Sequence, residues 1–148
     1  MQVLATLEAL AGELACMNAS DSQITAIAAL NRQMVEKSDV MNSINFFKTD
    51  MKFHTGIVAA SGNTALIDTH AKYNARLWRA RFLSSRRKLG RATTLQQHQD
   101  ITAALQSRNV SGAAHAMREH IETAIENLFK SRDEQESFES VSYTHLRA

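Results

Sequence analysis

The residues of this sequence best suited to chemistry are one aspartate and three histidines. Asp50 and His54 lie four apart in FFKTDMKFHTGIVAASGN, residues 46–63. At about 100° per residue, positions 47, 50, 54, 57 and 58 share one helical stripe, so both polar side chains occupy places where core residues are expected. Buried polar groups need partners. His98 and His120 are placed to provide them: they lie equally far before and after Asn109. In a helical hairpin, equal distances from the turn set two residues level on facing helices.

An i, i+4 pair facing two histidines gives four potential ligands, Asp50, His54, His98 and His120. Three neutral imidazoles and a carboxylate suit a divalent transition ion such as zinc, nickel or manganese, with positions left for water or a ligand. Helix bundles build metal sites in this way, from inward side chains on neighbouring helices. The same spacing also fits a plainer arrangement, with His98 and His120 as partly buried core histidines and Asp50 as a cap or surface group.

The other histidines read as bystanders. His115 points well away from His120 around its helix, and His70, between Asp68 and Lys72, reads as part of a solvated face. In the basic run RLWRARFLSSRRKLGR, Arg86, Arg87 and Lys88 complement a helix C-terminus. Of Arg76 and Arg79, three apart on one helical side, one is a candidate to enter the pocket and hold a carboxylate in a bidentate pair, against a solvated or interface role.

The elements that would position these residues are all helices. The chain has 148 residues, no proline and five scattered glycines, which suits a single all-α domain of long helices joined by short turns. A first helix over residues 3–17 carries the stripe Leu4, Leu7, Leu10, Ala11 and Leu14. SDSQ, 20–23, forms a capping box opening a second helix through Ile24, Ile27, Leu30, Met34 and Val35. A third runs from about Ile44 to Ala60 and stops at Gly62. The fourth is expected from Asn63 to about Leu89, the fifth from a second capping box at TTLQ, 93–96, and the sixth after the turn RNVSG, 108–112. Residues 133–148 read as a frayed or non-native tail, because SVSYTHLRA departs from the helical pattern.

Composition narrows the function classes. A formal charge of +2 does not by itself imply nucleic acid, and the single Cys16, among Leu14, Ala15 and Met17, excludes an internal disulfide framework. No apolar stretch approaches the roughly 20 residues of a membrane span, and no leader pattern opens the sequence, so a reducing cytosol is the expected compartment.

The succession LEALAGELA, SDSQITAIAALNRQM, DMKFHTGIVAASGN and HQDITAALQSRNVSGAAHAMREHI resembles the FCD ligand-binding domain of GntR-family transcription regulators, in its FadR/VanR-like branch. The likeness covers about residues 3–130, with the effector domain expected over 1–132. It implies an antiparallel bundle of six to seven helices around a central cavity. It also implies a metal ion on Asp50, His54, His98 and His120, a small carboxylate effector bound beside it, and homodimers. Arg76 or Arg79 as effector contacts is a weaker transfer. In the family a winged helix-turn-helix domain precedes this part and reads DNA. Here only Met1 to Thr6 precede LEALAGELA, so these residues read as the sensor without its DNA reader.

The expected function is a metal-dependent small-molecule sensor, not an enzyme. The alternatives are a metal-dependent hydrolase using the same ligands, or a metal-free structural dimerisation bundle. A hydrolase needs a general base that is not itself a ligand, and the spare acids Asp100, Glu119 and Glu122 sit among polar residues and point outward.

Overall fold

The computed structural model describes residues 1–86 and 88–145, with side chains over 1–86 and 90–130. The described residues form six helices: α1 (Gln2–Asn18), α2 (Asp21–Glu36), α3 (Ser43–Ala60), α4 (Thr64–Ser85), α5 (Lys88–Gln106) and α6 (Val110–His145). There is no strand among the described residues. The expectation of a tail at 133–148 falls on residues outside the described side chains and, at 146–148, outside the described backbone.

Several helix ends follow from their capping residues. Ser20 accepts from the backbone N–H of Gln23, whose side chain accepts from the N–H of Ser20, completing the expected box. Asn42 and Asn63 cap α3 and α4 by accepting from the N–H groups of Asn45 and Leu66. Gly62 ends the α3 segment at φ 68°, a backbone conformation open to glycine without a steric penalty. The α5–α6 turn pivots on Arg108, at φ 55°, and Asn109 caps α6. Arg108 is held there by donating to the carbonyls of Cys16 and Ala19 and pairing with Asp21.

Helix α1 is the central element and packs against α3, α4, α5 and α6. Its orientation differs from the leucine stripe expected from sequence. The buried residues are Leu4, Ala5, Glu8, Ala9, Ala11, Gly12, Ala15 and Cys16, while Leu10 is exposed and Leu7 and Leu14 are only partly covered. Small residues win because α6 passes very close. A Cβ on Gly12 would stand 2.9 Å from Met117 Cγ and 3.0 Å from the Ala113 carbonyl oxygen. The core then fills with Leu4, Met34, Phe46, Phe53, Ile57, Ile101, Leu105, Met117 and Ile121.

The α4–α5 boundary also differs. Helix α5 already begins at Lys88, so TTLQ lies inside it and Gly90 within its first turn rather than at a stop. Tertiary contacts hold that turn. Arg91 donates to the carbonyls of Ser38 and Met41, and its guanidinium lies 4.4 Å from the Phe46 ring centroid. Such contacts readily offset the roughly 1 kcal/mol that an interior glycine costs a helix.

Candidate metal centre

Asp50 and His54 occupy the inner stripe of α3 between Phe47 and Ile57, and all four of these residues are buried. His98 comes from α5 and His120 from α6, level with each other across the hairpin, and both are buried. Phe53 closes one side, its ring centroid 4.5 Å from that of His98.

The structure brings the four expected side chains together. His54 Nε2 stands 3.1 Å from His120 Nε2 and 3.5 Å from Asp50 Oδ1. His98 Nε2 stands 3.3 Å from His120 Nε2 and 3.1 Å from Asp50 Oδ1. All four atoms lie within 4.8 Å of one another. Ligands held about 2.0–2.2 Å from a single ion are themselves separated by about 3–3.5 Å, which is the spacing of these pairs.

Proton placement tests whether the set fits a cation. Thr123 Oγ1 donates to the Glu119 carbonyl and so accepts from Gln97 Nε2. Gln97 Oε1 therefore faces His120 Nδ1 at 3.0 Å as an acceptor, which places the proton of neutral His120 on Nδ1. His54 Nδ1 is 2.5 Å from Glu8 Oε2, a carboxylate oxygen, so it too is a donor. Neutral His54 and His120 thus turn Nε2 lone pairs towards each other. Among the described residues, Asp50 Oδ1 accepts no well-formed hydrogen bond and His98 Nδ1 has no partner. A cation between these atoms answers both the facing lone pairs and the unpaired oxygen, so the residues fit a divalent transition ion.

The electrostatics of the ion-free cluster divide the histidines. Burial alone would raise the Asp50 carboxyl, but its close interactions with the His54 and His98 rings hold it well below the usual carboxylate range. Burial and neighbouring histidine charge push His120 well down, and burial pushes His98 down despite Asp50. His54 goes the other way: burial opposes its charged form, yet Glu8 and Asp50 together raise it to about 9.

Two residues that sequence reasoning passed over complete the surroundings. Glu8, fully buried on α1, accepts from His54 Nδ1, from His70 Nε2 at 3.0 Å and from Arg81 at 2.6 Å. Burial would raise its carboxyl, but Arg81 and the two histidines hold it well below its ordinary value. Arg81 also donates to Asn74 Oδ1 at 3.0 Å. His70, expected on a solvated face, is instead buried against Glu8. Arg76 and Arg79 are exposed on α4, and the structure does not bring them to the cluster. The buried guanidinium is that of Arg81. His115 is exposed near Glu119, away from the cluster as expected.

A small cavity of about 40 Å³ opens beside the centre. Asp50 and His120 form part of its wall, with Arg81, Ser84, Thr94, Gln97, Thr123 and Asn127 among the polar lining. A family model described as the FCD domain matches residues 1–123. The chain belongs to the FCD-domain family. No match to a curated protein or to a solved structure was found. The FCD domain is a ligand-sensing regulatory domain of GntR-type regulators, and an all-helical bundle enclosing a His/Asp cluster is consistent with that role. Among the described residues, no helix of this FCD domain is long and apolar enough to cross a membrane.

Proposed function

We propose that this FCD domain senses a small carboxylate with the help of a divalent transition ion held by Asp50, His54, His98 and His120. The observation that carries the reading is the convergence of three imidazole Nε2 atoms and Asp50 Oδ1, with Asp50 and His120 also lining the adjacent cleft. The ion would supply a Lewis-acidic anchor for an effector oxygen. The chain's own residues do the rest. Gln97 fixes His120 through Nδ1, Asp50 offers negative charge to the cation, and Arg81 presents positive charge to an anionic ligand at the cleft wall.

The effector role passes from Arg76 and Arg79 to Arg81 in this reading, because the exposed pair does not line the cleft. Effector binding favours one packing of α4, α5 and α6 and shifts the geometry of a homodimer, and with it DNA binding by a winged-helix domain elsewhere in the regulator. Val3, Leu10 and Met17, seven apart and exposed along α1, form an apolar strip of a kind that dimers cover.

A hydrolase is disfavoured by what surrounds the centre. Asp100, Glu119 and Glu122 are exposed, and Glu8 accepts from three donors on the far side of His54, which leaves no free base facing the cluster among the described residues. The deciding experiment is elemental mass spectrometry of the purified protein beside a His98→Ala/His120→Ala variant. About one ion per chain, lost in the variant, is the expected result. No ion in either protein after incubation with zinc, nickel or manganese would overturn the reading.

A further inference from the structure

The cluster leaves unexplained why a carboxylate, Glu8, is buried on the central helix at 0% exposure, one side chain behind a ligand. Its two oxygens are divided: Oε2 faces His54 Nδ1, while Oε1 takes the His70 and Arg81 donors of α4. His70, Asn74 and Arg81 share one stripe of α4, and Asn74 steadies the arginine. Burying a charge is tolerable only when it is paired and hydrogen-bonded, and three donors meet that demand here.

We propose that Glu8 is a positioning residue. It holds His54 in the form that offers Nε2 to the ion and ties ion occupancy to the packing of α1 against α4. The proposal rests on the metal reading given above. The physical reason is directional. A carboxylate can only accept, so the imidazole must place a proton on Nδ1 and keep the Nε2 lone pair aimed at His120 and Asp50. A ligand held in this way has no rotamer or tautomer freedom left to lose when the ion arrives. The ion in turn polarises the imidazole and strengthens the N–H···O bond to Glu8. α1 therefore responds to events at the centre although it supplies no ligand.

The test is zinc affinity of the folded protein, by competition with a chromophoric chelator, for the natural chain and for Glu8→Gln. Glutamine keeps the size but can turn its NH₂ towards Nδ1 and stabilise the wrong tautomer. A roughly 10- to 100-fold loss of affinity is expected, together with loss of the slowing of α1 amide exchange that zinc produces in the natural chain. A Glu8 that merely supports packing would lower the melting temperature of the ion-free protein and leave the zinc dissociation constant within about twofold; that result overturns the proposal. If Glu8→Gln does not fold, ¹⁵N NMR of the zinc-loaded natural chain decides. A proton on His54 Nδ1 and metal on Nε2 support the proposal, and the reverse refutes it. A natural chain that takes up no zinc refutes the metal reading itself, whereas zinc bound equally by both proteins refutes only the role of Glu8.

Discussion

His54 Nε2 and His120 Nε2 face each other 3.1 Å apart, each with its neutral-form proton committed to Nδ1 on the opposite side of the ring. Something positive belongs between them. If that is a metal ion, chelation should destabilise the fold. Zinc at a hundredfold excess over its dissociation constant adds about 2.7 kcal/mol. For a chain of this size that corresponds to a rise in melting temperature of about 5–10 °C. Calorimetry with and without chelator checks it, and an unchanged melting temperature would count against the centre.

The three histidines make stability depend on pH differently with and without the ion. In the ion-free protein His54 is raised from 6.5 to about 9, so its contribution is fully present below about pH 6.5 and is lost as the pH rises towards 9. His98 and His120 are pushed down, so their contribution is present above about pH 6.5 and is lost as the pH falls below it. The ion-free fold should melt highest near neutrality and lower on both sides. With zinc bound, His54 has no proton to lose. The alkaline decline should then flatten, while protons competing for all three imidazoles keep the acid decline steep. Melting curves by circular dichroism across this range, with and without one equivalent of zinc, check it.

Gln97 makes no contact with the ion in this arrangement, yet it orients His120. Replacing it by leucine leaves Nδ1–H without an acceptor and should weaken zinc binding roughly 10- to 100-fold. Gln97→Glu keeps an acceptor facing Nδ1 and should retain most of the affinity. Equal affinities for the natural chain, Gln97→Leu and Gln97→Glu in a chelator competition would show that the chain from Glu119 through Thr123 and Gln97 does not tune the centre.

Much of this was legible in the sequence, for definite physical reasons. Asp50 and His54 announce themselves because a polar pair interrupts an otherwise apolar stripe of α3. His98 and His120 follow from symmetry about the Asn109 turn, which holds whatever the helix rise. Glu8 was missed because α1 carries two apolar faces, and leucine pointed to the wrong one. The small residues Ala5, Gly12 and Ala15 on the same side as Glu8 were the available signal, since only they let α6 approach so closely. Arg81 was passed over for Arg76 and Arg79, although His70, Asn74 and Arg81 form a stripe of their own. The start of α5 could not be read locally, because contacts from Arg91 to the α2–α3 connection carry the helix past Gly90.

The close crossing of α1 and α6 is testable apart from the metal. In Gly12→Ala the new methyl meets Met117 Cγ, which can move, and the Ala113 carbonyl, which is fixed in helix α6. A loss of about 1–3 kcal/mol in chemical denaturation is expected, as for overpacking elsewhere. Zinc stoichiometry should not change, because the centre draws no ligand from α1. A neutral or stabilising substitution would mean that the two helices separate more easily than their packing suggests.

The three arginines of α4 separate a sensing role from a surface role. Arg76 and Arg79 are exposed, so Arg76→Ala and Arg79→Ala should each change stability by no more than about 0.5 kcal/mol and leave carboxylate binding intact. Arg81 is buried between Glu8 and the cleft, so Arg81→Gln removes the cation facing an anionic ligand and also leaves Glu8 short of a donor. Two losses are then expected together: a lower melting temperature of the ion-free protein, and disappearance of the thermal shift given by carboxylates that stabilise the zinc-loaded natural chain. Arg81→Lys separates them. It restores a charge for Glu8 but not the planar fork suited to a carboxylate, so stability should recover further than ligand response. A thermal-shift screen across the four variants checks the pattern, and a carboxylate response that survives Arg81→Gln but vanishes in Arg76→Ala or Arg79→Ala would return the effector contact to the exposed pair.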